Sequence, residues 1–170
     1  KGSLANKMNL TEQSERLANL RALMALQWTW PGKKTLFMGC EFGQWKEWDF
    51  NAPLDWALMN APLHAGLVNL IRDLNRNYSS HPGWAKSDHQ SDKFSWVDCD
   101  DRDRQTLSFL RLGEETGETL LVDCNFSDRL VHRDWGCPHP GGWKVLLDTD
   151  SPHYGGEGSA GGTVFSSLAN

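Results

Sequence analysis

The apolar residues of this 170-residue chain change their spacing once, near Trp84, and that change divides what its two parts can fold into. Before it, Leu17, Leu20, Met24 and Trp28 recur every three or four residues. Leu63, Leu67, Leu70, Ile71, Leu74 and Tyr78 fall on one helical face in the same way. Such spacing lays an apolar stripe along a helix. After Trp84 the pattern becomes short alternating runs: Phe94 and Trp96 with Cys99 beyond them, Leu107 and Phe109, residues 119–124, then Trp143, Val145 and Leu147. Alternation gives a strand one apolar face. The chain therefore reads as an α/β piece over residues 1–84 and an all-β piece over residues 85–170.

Local signals refine the first piece. Asn9 and Glu12 stand at capping-box spacing, or Thr11 caps a turn later, and a helix runs from there to about Trp28. Pro31 and Gly32 end it. Leu36, Phe37 and Met38 form a short apolar run that stops at Gly39, which predicts a buried strand over about 34–38. A helix leading by a tight joint into a strand is the second half of an α/β unit. Residues 39–61 form a long loop rich in Trp, Asp and Asn, a length usually tied to function. Pro62 suits the first position of the next helix, Arg72 and Arg76 complement its C-terminal dipole, and Pro82-Gly83 stops it.

In the second piece, the runs at 107–109 and 119–124 read as a hairpin around a turn at 114–117. Gly141-Gly142 reads as the turn before the run from Trp143. Residues 154–162, YGGEGSAGG, read as a glycine-rich loop, and Val164-Phe165 begins another strand. Several short strands with turn signals predict a β-sandwich, left incomplete at Asn170.

Composition excludes several functions. A net charge of −5 argues against a nucleic-acid partner, and no run of 18 apolar residues offers a membrane span. The first residues, KGSLANKMNL, hold no signal-peptide core. Cys40, Cys99, Cys124 and Cys137 are scattered, which predicts free thiols and a cytoplasmic setting. Cys137 and His139 lack a second pair at zinc-like spacing, so no metal is expected. The 154–162 glycines do not join a strand to a helix and make no phosphate-binding fingerprint. Residues 100–104, DDRDR, read as a solvated turn. Nine Trp against two Tyr is unusual, and the indoles divide between core filling and sugar platforms.

The candidate site is the stretch 35–48, TLFMGCEFGQWKEW. In an α/β barrel, residues just past a strand's C-terminal end face the active site. Glu41, Gln44 and Trp48 then stand where polar groups and an indole face would meet a sugar's hydroxyls and C–H faces. The competing reading makes the loop structural, with Glu41 orienting a neighbouring loop. Residues 49–56, DFNAPLDW, read as a turn-rich connector.

This stretch also carries a resemblance. MGCEFGQWKEW is similar to the segment that closes the catalytic barrel of the glycogen branching enzymes, α-amylase superfamily members that act on 1,4-α-glucan. KGSL, NLRALMALQWTWPGKK, the LDW at 54–56, LVNLIRDLNRNY and LDTDSPHYGG resemble that family in the same order. Cys40 departs from it, standing where the family often has Asn. The resemblance implies the seventh helix, eighth strand and eighth helix of a (β/α)8 barrel, followed by a truncated C-terminal β-sandwich. A whole barrel needs ~250 residues. It implies an α-glucan substrate, the missing N-terminal part of the same enzyme as partner, and no cofactor. It also implies that the chemistry is retaining, through a nucleophilic aspartate, an acid/base glutamate and a stabilising aspartate. The last of these falls a few residues before Lys1, in a segment reading roughly His-Asp-Glu-Val-Val-His-Gly. No catalytic residue is therefore assigned here, and the chain alone is expected to be inactive. The rivals are a debranching or trehalose-forming hydrolase, a non-catalytic glucan-binding module, and an inert truncated product.

Overall fold

The computed structural model describes residues 2–113, 118–136, 139–158 and 164–167. Its elements are α1 (Leu4–Lys7), α2 (Gln13–Thr29), α3 (Pro62–Ser80), α4 (Pro82–Ala85), β1 (Phe94–Asp101), β2 (Thr106–Arg111), β3 (Leu120–Asn125), β4 (Gly141–Lys144) and β5 (Val164–Ser167). Short 3₁₀ turns at Cys40–Phe42, Trp56–Asn60, Ser91–Lys93 and Pro152–Tyr154 punctuate the loops.

Both long helices lie where their apolar spacing puts them. α2 starts later than Asn9 or Thr11 would place it. Glu12 is its cap, and Glu15, one turn on, accepts from the Glu12 backbone N–H at 3.4 Å. Leu17, Leu20, Met24 and Trp28 of α2 are buried against Leu67, Leu70, Ile71 and Leu74 of α3. The Trp28 indole donates to Asn75 (3.1 Å), so the largest side chain of the seam is satisfied as well as buried. Pro62 opens α3 as expected.

The strand expected over 34–38 is not formed. Residues 33–37 carry no regular structure, and Leu36, Phe37 and Met38 are 40%, 60% and 52% exposed. A strand is defined by a ladder, and no strand of the described residues lies beside this segment. Apolar character alone did not bury it.

The β part is antiparallel. β1, β2 and β3 form one sheet in that order, with Trp96 opposite Phe109 and Phe109 opposite Val122. β2 and β3 are the expected hairpin; its turn at 114–117 lies outside the described residues. β4 and β5 make a separate two-stranded sheet, with Gly141 opposite Ser167. Gly141 and Gly142 are therefore strand residues rather than the turn, and regular structure ends at Lys144. The alternation through Val145 and Leu147 does not continue the strand: residues 145–148 carry no regular structure, and Leu147 packs against the helical core. Of the DDRDR run, Arg102, Asp103 and Arg104 form the expected exposed turn, whereas Asp100 and Asp101 end β1 and Asp101 pairs with Thr106.

A buried polar node joins the helical and β parts. The Arg111 guanidinium, at the end of β2, is fully buried. It donates to Thr29 O (2.7 Å), Trp84 O (3.3 Å), Ser87 Oγ (3.0 Å) and Asp88 Oδ1 (3.0 Å). Asp88 also receives Lys34 Nζ (3.2 Å) and the Tyr78 hydroxyl (2.5 Å). Burial pushes the Asp88 carboxyl up, but the bonds from Tyr78, Arg111 and Lys34 outweigh it and hold the carboxyl below its usual range. The bond to Asp88, with burial, pushes the Tyr78 hydroxyl up to about 12. Five separated stretches, ending α2, entering the loop, ending α3, linking to the sheet and closing β2, thus meet at one charge cluster.

Candidate functional site

Residues 39–56 fold as a loop pinned from inside. Gly43 has φ +68, and a Cβ there would sit 2.8 Å from Leu17 Cδ2 and 3.1 Å from Leu67 Cδ2. Only glycine lets the loop turn this tightly onto the α2–α3 seam. Phe42 beside it is fully buried, and its carbonyl is held by the buried His64 ring nitrogen at 2.7 Å. Trp45 packs edge-on against the same imidazole at 5.3 Å. Its carbonyl accepts from Ser3 Oγ (2.8 Å) and Asn6 Nδ2 (2.5 Å), so the chain's first helix also holds the loop.

The three candidate residues take different positions. Gln44 is buried; its amide donates to Lys46 O (3.0 Å) and accepts from the Asp55 backbone N–H (2.8 Å). The sequence reading made Gln44 a sugar contact; in the structure its side chain is bonded within the loop. Both ends of that amide are used within the loop because 39–56 must satisfy its own backbone groups without a ladder. Glu41 lies half-buried in the 3₁₀ turn at the loop's head. Trp48 is exposed and meets Phe37 edge-to-face at 5.5 Å. Phe50 and Trp56 are exposed beyond it, Trp56 lying 5.4 Å from Phe42. Asp49 caps a turn through the Asn51 N–H (2.9 Å), the connector role read for 49–56. The loop therefore presents a carboxylate and several indole or phenyl faces on a fixed backbone.

The LDTDSPHYGG motif lies against the helices. Arg21, buried in α2, donates to Thr149 O (2.8 Å) and faces Asp150 at 3.9 Å. The Tyr154 hydroxyl donates to Asp73 (2.9 Å), and burial together with that carboxylate pushes it up to about 12. A Cβ on Gly66 of α3 would come within 2.3 Å of Tyr154 O, so α3 and the motif touch backbone to backbone. His153 Nε2 lies 3.6 Å from the same Asp73, so both residues have partners on α3. Residues 159–163 of the glycine-rich loop lie outside the described residues. So does Cys137; Cys40, Cys99 and Cys124 are free thiols.

Among the described residues, no group of three or more His, Cys, Asp or Glu could hold a metal ion, and no helix is long and apolar enough to cross a membrane. Sequence reasoning missed Asp88 and Arg111. No spacing marks them, because they belong to different elements and meet only through the fold.

Residues 96–169 match the family described as "Alpha amylase, C-terminal all-beta domain". Strands β2 to β5 and most of β1 lie within the matched residues. Along most of its length the chain is homologous to proteins named 1,4-alpha-glucan branching enzyme GlgB. It is 44% identical to the one from Rhodospirillum rubrum over 88% of this chain and 20% of that protein. It is 46% identical to that from Nitratidesulfovibrio vulgaris over 96% of this chain and 26% of that protein. The Aquifex aeolicus relative is 42% identical over 93% of this chain and 25% of its own length. The chain spans about a fifth to a quarter of the length of these relatives.

Proposed function

We propose that this chain is the C-terminal part of a 1,4-α-glucan branching enzyme. Residues 1–84 would complete its catalytic barrel, with 34–38 as the eighth strand once neighbouring strands pair with it, and residues 85–170 would form its C-terminal β-sandwich. The observation that carries this reading is the identity of 42–46% over nearly the whole chain, across both the helical and the β part, to proteins of that name. The exposed run Leu36-Phe37-Met38 supports it, since an unpaired apolar segment is what a barrel strand looks like without its neighbours.

The parent enzyme would cleave an α-1,4 bond, hold the glucan as a covalent glycosyl-enzyme, and pass it to a 6-hydroxyl of another chain in place of water. The catalytic carboxylates would come from outside this chain, and no metal or organic cofactor takes part. Glu41 and Trp48 would face the α-glucan, one accepting from hydroxyls and the other covering a pyranose face; Gln44 would act through the loop it fixes. The setting would be cytoplasmic. The test is the iodine stain of amylose. The chain alone should leave it unchanged, while the product of the intact reading frame should shift it to shorter wavelength. Branching by the chain alone would refute the assignment of the carboxylates to another segment.

A further inference from the structure

Glu41 stands between two joints that glycine leaves loose. The 3₁₀ turn Cys40–Phe42 is flanked by Gly39 (φ +84) and Gly43 (φ +68), both left-handed. Glycine has the widest choice of backbone angles, so the three residues between these joints can swing as a unit. Their backbone bonds stay local: the Cys40 N–H donates to Phe37 O (2.9 Å) and the Gly43 N–H to Cys40 O (3.2 Å). The buried His64 side chain reaches the turn from the helical core. It is the third residue of α3, whose following turns pack Leu67 and Leu70 into the seam. Its Nδ1 lies 2.7 Å from Phe42 O. A carbonyl only accepts, so Nδ1 carries the proton of the neutral imidazole and donates it to this bond. The same ring meets the Trp45 indole edge-on at 5.3 Å. One imidazole therefore touches the loop on both sides of Gly43-Gln44, at the residue that follows Glu41 and at the ring three residues before Trp48.

We propose that His64 is a positioning residue for glucan binding: its bond to Phe42 O sets the direction in which Glu41 presents its carboxylate relative to Trp48. This role rests on the proposed function, in which Glu41 and Trp48 face α-glucan. Loss of the donor leaves a buried carbonyl without its partner and lets the turn rotate at its glycines, carrying Glu41 with it. Glu41 would meet sugar hydroxyls rather than the reacting bond, so the loss falls on substrate binding and spares turnover. A role in packing alone makes a different prediction, since its effect on the reaction would follow stability.

The test uses the product of the intact reading frame, with amylose as substrate. His64→Leu keeps apolar volume and removes the donor. It should raise KM about threefold to tenfold, with kcat changed by less than about twofold. His64→Asn places an amide N–H near the Nδ1 position but gives up the ring contact with Trp45. It should restore KM while melting below the wild type. Glu41→Ala should raise KM at least as much as His64→Leu, and the double variant should be no worse than Glu41→Ala, because His64 acts through Glu41. An unchanged KM in His64→Leu, a raised KM in His64→Asn, or additive effects in the double variant would overturn the role while leaving the branching reading standing. Absence of branching by the wild-type product would refute the proposed function itself, and this role with it.

Discussion

Replacing Arg111 by methionine should separate the helical and β parts energetically. The guanidinium is fully buried, makes four hydrogen bonds and is paired with Asp88. Methionine fills similar volume, so the cost is mainly polar. Thr29 O, Trp84 O and Ser87 Oγ lose a charged donor, and breaking a buried pair on one side costs about 3–5 kcal/mol. Lys34 and Tyr78 still hold Asp88, which places the value near the lower end, about 3 kcal/mol. For a chain of this size that lowers the melting temperature by roughly 6–12 °C. Urea denaturation of wild type, Arg111→Met, Asp88→Asn and the double variant gives the coupling between the two residues. Asp88→Asn should cost at least as much, because it leaves both Lys34 and Arg111 without their shared carboxylate. A loss under about 1 kcal/mol for Arg111→Met, or additive single effects, would refute the account of the node.

The chain's two tyrosines give a pH prediction. Both hydroxyls are raised to about 12, Tyr78 chiefly by its bond to Asp88 and Tyr154 chiefly by burial. Their contribution to stability is complete below the ordinary tyrosine value and is lost as pH rises through about 12. Tyrosinate absorbance should stay flat until that range, and ionisation near the ordinary value would contradict it. Asp88 works in the opposite direction, since its carboxyl is held low. Its contribution is present above the ordinary aspartate range and lost as pH falls through its depressed value, so Asp88→Asn should flatten the acid limb of a stability–pH curve. Gly66→Ala should cost about 1–3 kcal/mol by prising α3 from Tyr154, although alanine on an open helix face would contribute about 1 kcal/mol; a stabilised variant would contradict the close approach. Among the thiols, exposed Cys99 should alkylate in the folded chain. Cys124, buried and pushed up to about 12, should react only on unfolding, which peptide mapping would read.

The helices were legible because an amphipathic stripe is a local property. Leu17 to Trp28 and Leu67 to Leu74 are buried as their spacing predicts. The hairpin was legible for the same reason, from the alternation around Phe109. Leu36-Phe37-Met38 forms no strand in this chain because a strand needs partners, and three apolar residues do not show whether any are present. The run from Trp143 was overextended because alternation alone does not show where a ladder ends, and Leu147 is apolar for the helical core it meets. At the candidate site, the tight turns and exposed Trp48 could be read from the Gly and Trp positions. The inward turn of Gln44 could not, because an amide reads alike whether it meets a sugar or its own backbone. Arg111 and Asp88 were invisible for a further reason: their partners are scattered from Thr29 to Ser87 and converge only in three dimensions.

The most direct test of the central reading is the linkage pattern of amylose after incubation with the product of the intact reading frame. Anomeric proton signals of α-1,6 linkages should grow while reducing ends stay constant, because each cleaved chain is passed to another glucan. Growth of reducing ends without new α-1,6 signals would contradict a branching enzyme and favour a hydrolase of the same superfamily.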